Sequence, residues 1–411
     1  MSLIAGPEAR SRAEEAPPLA QDRVIRAWVS VATVSWFGDA VFNVALAWTA
    51  VHLLSPGAAG LVLGVQTLPQ AALMLGGGVI ADRFDTRKVM VAGELARAAT
   101  LLCASITWVS GHRAASVLVT VGLLFGLAAG LTNPARATLA RQLVRTQDLV
   151  TVGGWVQLGG RLARLAGAPV GAVIVAAGGL GPAMAIDAVT FLAVATALLV
   201  VIRPRYAIPR STGEPWLAAL RGGVFYLRRT PSARWLTAGL SSLNVFLTPV
   251  VGVGVALRVG RSGWGAAWVG AAEASLAAGA IIGSLVAIGR RRGAVAGRAF
   301  WVLAIQGLAL CAVGVPTRAC LTAGMFTVGL TSGSASVWLS GVFQQTIAAT
   351  HLGRVSSVSQ LGDLVLTPIA MPLFGFAVAA DGVWPATAAS GMGMTALCLF
   401  FATRPAIRAL G

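Results

Sequence analysis

Twelve apolar stretches, most of them about twenty residues or longer and nearly free of charge, follow one another along this chain with short polar breaks between them. An α-helix rises about 1.5 Å per residue, so some 20 such residues cross the roughly 30 Å hydrocarbon core of a bilayer. Only 11% of the residues are charged and 56% are hydrophobic, whereas a soluble domain carries roughly a quarter charged residues. A surface of that composition belongs against lipid. The stretches lack the alternation of barrel strands. The chain is therefore read as an all-α, polytopic membrane protein. Its spans are expected at 27–53, 58–81, 88–110, 114–136, 149–177, 182–202, 234–257, 265–288, 299–315, 319–343, 354–379 and 385–403.

The cations fix the expected orientation. With the N-terminus inside, 24 of the 31 Lys and Arg residues fall in inner segments, and the outer loops hold only Arg113, Arg258, Arg261 and Arg318. Cytoplasmic loops carry such an excess, so both termini are expected in the cytoplasm and the chain in the cell membrane. The formal charge of +17 is spread over these loops in short clusters, which argues against a nucleic-acid partner. Residues 1–26 read as a cytoplasmic tail, 27–202 as a six-helix bundle, 203–233 as a linker, 234–403 as a second six-helix bundle and 404–411 as a tail. Within the linker, Trp216, Leu217, Leu220, Val224 and Leu227 recur at helical spacing with Arg221 and Arg228 off that face. That pattern is an amphipathic helix lying on the inner leaflet.

The two bundles repeat each other. Gln157-Leu158-Gly159 with Pro169 recurs 203 positions later as Gln360-Leu361-Gly362 with Pro372. At the same offset Gly126 and Gly130 match Gly329 and Gly333, and Gln142 matches Gln345. Residues 77–81 match 283–287 at an offset of 206. A parallel six-plus-six repeat is how two-domain rocking transporters are built.

Between spans 2 and 3 the chain places Gly78, then Asp82 and Arg83, then Arg87 and Lys88. This resembles the signature of the major facilitator superfamily, and the likeness extends over about residues 23–405. It implies a twelve-helix fold of two pseudo-symmetric six-helix bundles. It also implies that Asp82 sits at the N-terminus of span 11, whose dipole favours an anion, and that Arg83, Arg87 and Lys88 pair with acids or lipid phosphates. Together they would latch the halves in the outward-open state. Within the family, residues 36–48, 67–90, 132–144 and 351–362 look like those of drug:proton antiporters such as enterobactin exporters and macrolide efflux proteins. Pro169 and Gly171 stand where such antiporters carry a Gly-Pro-x-x-Gly-Gly stretch, although Ala168 and Ala172 replace two of its glycines.

Five charges fall well inside spans: Asp39, Arg161, Arg164, Glu273 and Asp363. An ionised group at bilayer depth costs at least about 2.5–3.5 kcal/mol, so each needs a partner or a wet cavity. The family layout brings spans 5 and 8, and 2 and 11, together across the boundary between halves. Arg161 or Arg164 with Glu273 is then a candidate pair between halves, with Asp39 as a second partner of those arginines. Asp39, Glu273 and Asp363, in that order, are candidate proton carriers. Glu94 with Arg97, and Asp187, read as structural. Trp36, Phe42, Asn43, Trp338 and Gln360 are candidates to line a substrate cavity.

Lys88 is the only lysine and follows Arg87, so a Walker A loop is excluded and with it direct drive by ATP. Three scattered histidines and four cysteines without ligand spacing argue for no metal site. No cofactor is expected and the chain is not read as an enzyme. The expected function is secondary export of small organic molecules such as a drug, an antibiotic or a siderophore-like compound, in exchange for protons, by a monomer. A proton-coupled uptake permease, or a membrane receptor or scaffold, are the alternatives.

Overall fold

Asp22 opens the first helix. Its carboxylate accepts from the backbone N–H of Val24 at 2.9 Å and of Ile25 at 3.4 Å, satisfying two of the amides a helix start leaves free. The computed structural model describes residues 18–73, 85–206, 216–288, 295–348, 351–408 and 410. The helices are α1 (Arg23–Leu53), α2 (Pro56–Val65), α3 (Thr86–Val109), α4 (Ala115–Leu143), α5 (Leu149–Gly178) and α6 (Leu180–Val200). After them come α7 (Trp216–Arg229), α8 (Pro231–Arg261), α9 (Ala267–Ile288) and α10 (Val295–Val313). The last are α11 (Arg318–Thr346), α12 (Leu352–Asp381), α13 (Val383–Thr403) and the short α14 (Pro405–Arg408).

Ten of the described helices are long and apolar enough to cross a membrane. Of the other two expected spans, one is described in part and one in full. The second begins as α2 and continues as helix over 67–73, beyond which lie residues outside those described. The tenth is α11, 29 residues long, whose Gly, Ser and Thr content lowers its mean hydropathy.

The repeat inferred from sequence is visible in the packing. Gly126 and Gly130 of α4 face Gln66, Pro69 and Gln70 in the second span, leaving no room for a side chain. Their counterparts Gly329 and Gly333 of α11 face Leu276 and Ala280 of α9 in the same way. Small residues at such crossings let helix backbones approach. The turns match too. Gly179 (φ 76°) between α5 and α6 and Gly382 (φ 94°) between α12 and α13 stand 203 positions apart, both in conformations that L side chains rarely adopt.

The halves meet at the end of the molecule away from the chain termini. There a Cβ on Gly60 would come within 2.5 Å of the Met371 carbonyl oxygen, and Gly375 lies against Pro56. A Cβ on Gly270 of α9 would come within 2.9 Å of the Pro169 Cα. At the terminal end, Gly153 and Gly154 of α5 and Gly353 of α12 have nothing within 4 Å of a built Cβ. The described parts of the two halves are thus in backbone contact at one end, while at the other these three glycines face open space.

Several expected boundaries move. Span 4 runs on through Leu143, seven residues past its expected end at 136, because Leu139 and Leu143 are buried along the same face. Arg136, expected in an inner segment, is therefore inside a helix. Span 7 begins at Pro231, ends at Arg261 and contains a π-helical turn, Val250–Gly254, directly after Pro249. The linker helix α7 lies along the start of α12. Gly223 meets the Arg354 carbonyl, and the Tyr226 and His351 rings stack with centroids 4.5 Å apart. Leu227 is buried in that contact while Val224 and Phe225 stay exposed.

Candidate functional site

α1 contributes the first wall of the site. Helical spacing puts Trp36, Asp39 and Asn43 on one face, and this face lines a cavity of about 480 Å³ with Phe42, Gln66, Gln70 and Asn133. Four further charges line the same cavity: Arg97 from α3, Arg136 from α4, Arg164 from α5 and Glu273 from α9. Glu273 comes from the second half and the other charges from the first. Arg164 and Glu273 also line an adjoining cavity of about 700 Å³, which reaches Gln157 and Arg161 of α5 and Ser336 of α11.

Of the residues expected from sequence to carry protons, Asp39, Glu273 and Arg164 thus share one space. Among the described residues, Asp39 and Glu273 make no ion pair within 4 Å. Arg161 is occupied elsewhere. Its guanidinium donates to the Ala280 carbonyl at 3.0 Å and to the Ser284 hydroxyl, with Ser336 at 3.5 Å, so it bridges α5 to α9 and α11. Asp363 lies apart on α12 beside Asn244, with one carboxylate oxygen unpartnered among the described residues.

Sequence reasoning missed the role of Arg136. Glu94 is fully buried, and the Arg136 guanidinium donates to it at 3.0 Å while Arg97 approaches at 3.8 Å. Arg97 also donates to the Thr132 hydroxyl at 3.0 Å and lies over the Phe191 ring at 5.5 Å. Glu94 therefore holds two arginines whose other faces reach the cavity. The signal was available: a buried acid beside only one arginine, three positions away, needs further hydrogen-bond donors. Asp187 is also fully buried, accepts from the Thr190 hydroxyl at 3.0 Å and packs against Gly38, next to Asp39.

The remaining expected residues are placed as follows. Gln360 lines a third cavity, inside the second half. Trp338 lines none of the three; its indole N–H donates to the Ala287 carbonyl at 3.1 Å, beside Arg298. Pro169 and Gly171 sit where α5 crosses α1 and α9, with a Cβ on Gly171 only 2.6 Å from the Val41 carbonyl oxygen. Gly78, Asp82 and Arg83 lie outside the described residues. Arg87 donates to the carbonyls of Leu198 and Leu199 at 2.5 and 2.6 Å, capping the end of α6, where the sequence suggested acids or lipid phosphates. Lys88 is exposed, and its amide is held by the Asp85 cap at 3.1 Å.

Comparison with known proteins agrees with this architecture. Residues 29–363 match the family model described as Major Facilitator Superfamily. A stretch of 106 residues is 36% identical to the multidrug resistance protein MdtH of Cronobacter sakazakii, covering 25% of this chain and 23% of that protein's length. Two solved structures of the nucleoside transporter NupG, one of them a mutant, superpose with a TM-score of 0.72 at 14% identity. Each superposition covers 92% of this chain and 98% of the other.

Proposed function

The chain belongs to the major facilitator superfamily, and from that premise we propose that it exports small organic molecules across the cell membrane in exchange for protons. Both termini face the cytoplasm in this reading, so the end at which the halves are in contact is the outer one. The cavity then faces the compartment from which an exporter loads. A single monomer encloses the whole path.

One observation carries the reading. Asp39 and Glu273, contributed by different halves, share a cavity with Arg97, Arg136 and Arg164. Charges in a cavity with low-dielectric protein walls attract each other more strongly than in bulk water. Ionised Glu273 draws α9 toward Arg164 of α5, and ionised Asp39 competes for the same arginine. Protonation of either acid cancels its share of that attraction and changes the balance that holds the halves together. A proton and a substrate that act on the same balance exclude each other, which is the requirement for exchange. The multidrug resistance protein that the chain resembles over 106 residues favours the outward direction and an organic substrate.

The test is transport in inverted vesicles with an imposed proton gradient. Addition of lipophilic compounds should release protons in vesicles bearing the protein, and Asp39→Asn should abolish that release while leaving expression and folding intact. Proton release that persists in Asp39→Asn would move the role to Glu273, and persistence in Glu273→Gln as well would overturn the exchange.

A further inference from the structure

Residues of the second half line a further cavity, about 430 Å³, between α8, α10, α11 and α12, which adjoins the 700 Å³ cavity through Leu247, Ser332, Ser336 and Ser340. Its lining repeats the wall that the first half gives to the charged cavity. Matched contacts set the offset between α1 and α8 at 208: Thr33 against Gly159 and Gly38 against Thr190 recur as Ser241 against Gly362 and Phe246 against Gly393. Trp36 and Asp39 thus correspond to Asn244 and Leu247, and all four line their respective cavities. At the offset of 203, Ala129, Asn133 and Arg136 of α4 become Ser332, Ser336 and Leu339 of α11. At the offset of 206, Arg97 of α3 becomes Leu303 of α10. Three charged positions, Asp39, Arg97 and Arg136, are thus three leucines in the second cavity.

The leucines do not make that cavity oily. Carboxamides from Asn244, Gln306, Gln344 and Gln360 line it, with serine hydroxyls between them and the Phe343 ring on one side. A carboxamide or a hydroxyl both donates and accepts hydrogen bonds and carries no charge. Gln306 is 1% exposed, and its Oε1 has no hydrogen-bond partner among the described residues. A buried acceptor left unsatisfied is costly, and a ligand donor inside the cavity would satisfy it. Among the described residues no charged side chain is part of this lining: Arg161, whose guanidinium is taken up by Ala280 and Ser284, reaches Ser336 from outside, and Asp363 lies behind Asn244. A charged ligand seated here would lose its hydration without a direct counter-ion. The volume lies within the range of small-molecule sites.

We infer that this second cavity is a binding site for an uncharged organic group carrying both hydrogen-bond donors and acceptors on an apolar or aromatic frame, such as a hydroxylated amide. The assignment rests on the transport reading only for its use, as a subsite for the neutral part of a substrate whose passage the charged cavity controls. Binding itself needs no gradient.

The probes are chloramphenicol, which is neutral and carries an amide and two hydroxyls on a nitrophenyl ring, its deacylated amine, which is a cation, and its succinate ester, an anion. Binding is measured by calorimetry on the full-length protein in nanodiscs without a gradient. The neutral compound should bind saturably and each charged form at least tenfold more weakly. Gln306→Leu should weaken the neutral compound at least tenfold while leaving the ligand-free melting temperature unchanged or raised, because it removes the orphaned acceptor. With the native cysteines replaced by serine, chloramphenicol should protect Ser356→Cys, which lines this cavity and not the other two, from N-ethylmaleimide and leave Asn43→Cys reactive. The inference is overturned by absent binding of the neutral form, by equal binding of the charged forms, by unchanged affinity in Gln306→Leu, or by protection at position 43 alone. Saturable binding without proton exchange would overturn the export reading and leave this one standing.

Discussion

Arg136 and Glu94, 42 positions apart, meet at 3.0 Å in the first half, and the Glu94 side chain is fully enclosed. Without Arg136 the buried carboxylate keeps only Arg97, at 3.8 Å and without a hydrogen bond, and breaking a buried pair from one side costs up to about 3–5 kcal/mol. Arg136→Leu is therefore expected to lower the melting temperature of the detergent-solubilised protein by several degrees. Adding Glu94→Gln to Arg136→Leu should recover most of that loss, because residues in one ion pair are not additive. Differential scanning fluorimetry on the two single variants and the double variant measures the coupling.

Arg164 is set differently. It is exposed to the cavity and makes no ion pair within 4 Å among the described residues. Arg164→Ala should change stability by less than about 1 kcal/mol, as for an exposed charge. It should nevertheless lower substrate-driven proton release at least tenfold, whereas Arg164→Lys keeps the charge and should retain a substantial part of it. Measuring melting temperature and proton release on the same preparations separates this outcome from the Arg136 one.

The spans were legible because lipid offers no partner to a backbone amide, so each crossing must be a complete and apolar helix. The repeat was legible because glycines at crossings, such as Gly126 and Gly329, tolerate no replacement where backbone faces them. The end of α4 was not. Arg136 and Arg141 look like a loop in a hydropathy reading, and only the burial of Leu139 and Leu143, with Arg136 turned to Glu94, reveals a continuing helix. The π turn at Val250–Gly254 left no pattern beyond Pro249 and two glycines. Of the site, residues on α1 were legible from helical spacing. The charged lining from α3 and α4 was not, because its partners are brought together only by packing. The occupation of Arg87 by the end of α6 likewise depends on where two distant helices cross.

Asp22 ties the start of α1 to the segment after α6. It caps α1 and pairs with both terminal nitrogens of Arg205, one at 2.9 Å. Burial alone would raise its carboxyl above the ordinary 3.8, but the Arg205 hydrogen bond, the N–H of Val24 and Ile25 and the Arg205 charge together hold it below that value. A depressed carboxyl contributes stability that is complete above its unfolded value and is lost as pH falls through its folded one. Asp22→Asn should therefore destabilise the protein near neutral pH by about 1–2 kcal/mol. The gap between the two melting temperatures should close steadily below about pH 4. A pH series of melting curves on both proteins measures it, and a gap that stays constant down to about pH 2.5 would contradict the assignment.

Closure at the end away from the termini rests on backbone contact between the second span and α12. A Cβ on Gly60 would approach the Met371 carbonyl oxygen at 2.5 Å and the Pro372 Cα at 3.1 Å, and neither atom belongs to a side chain that can rotate away. At Gly64 the nearest atom is the Pro368 Cα at 3.3 Å, so a methyl group there asks for only a few tenths of an ångström. Gly60→Val should therefore pry that end apart and disfavour the present arrangement, while Gly64→Ala should be nearly silent. Overpacking of this kind costs about 1–3 kcal/mol, enough to shift a two-state equilibrium by roughly five- to 150-fold. The readout is the rate at which an impermeant thiol reagent, added from the side of that end, modifies Asn43→Cys in the cavity. The rate should rise at least fivefold in Gly60→Val and stay within twofold in Gly64→Ala. Equal rates in both would mean that the glycine contact merely fills space and does not control access.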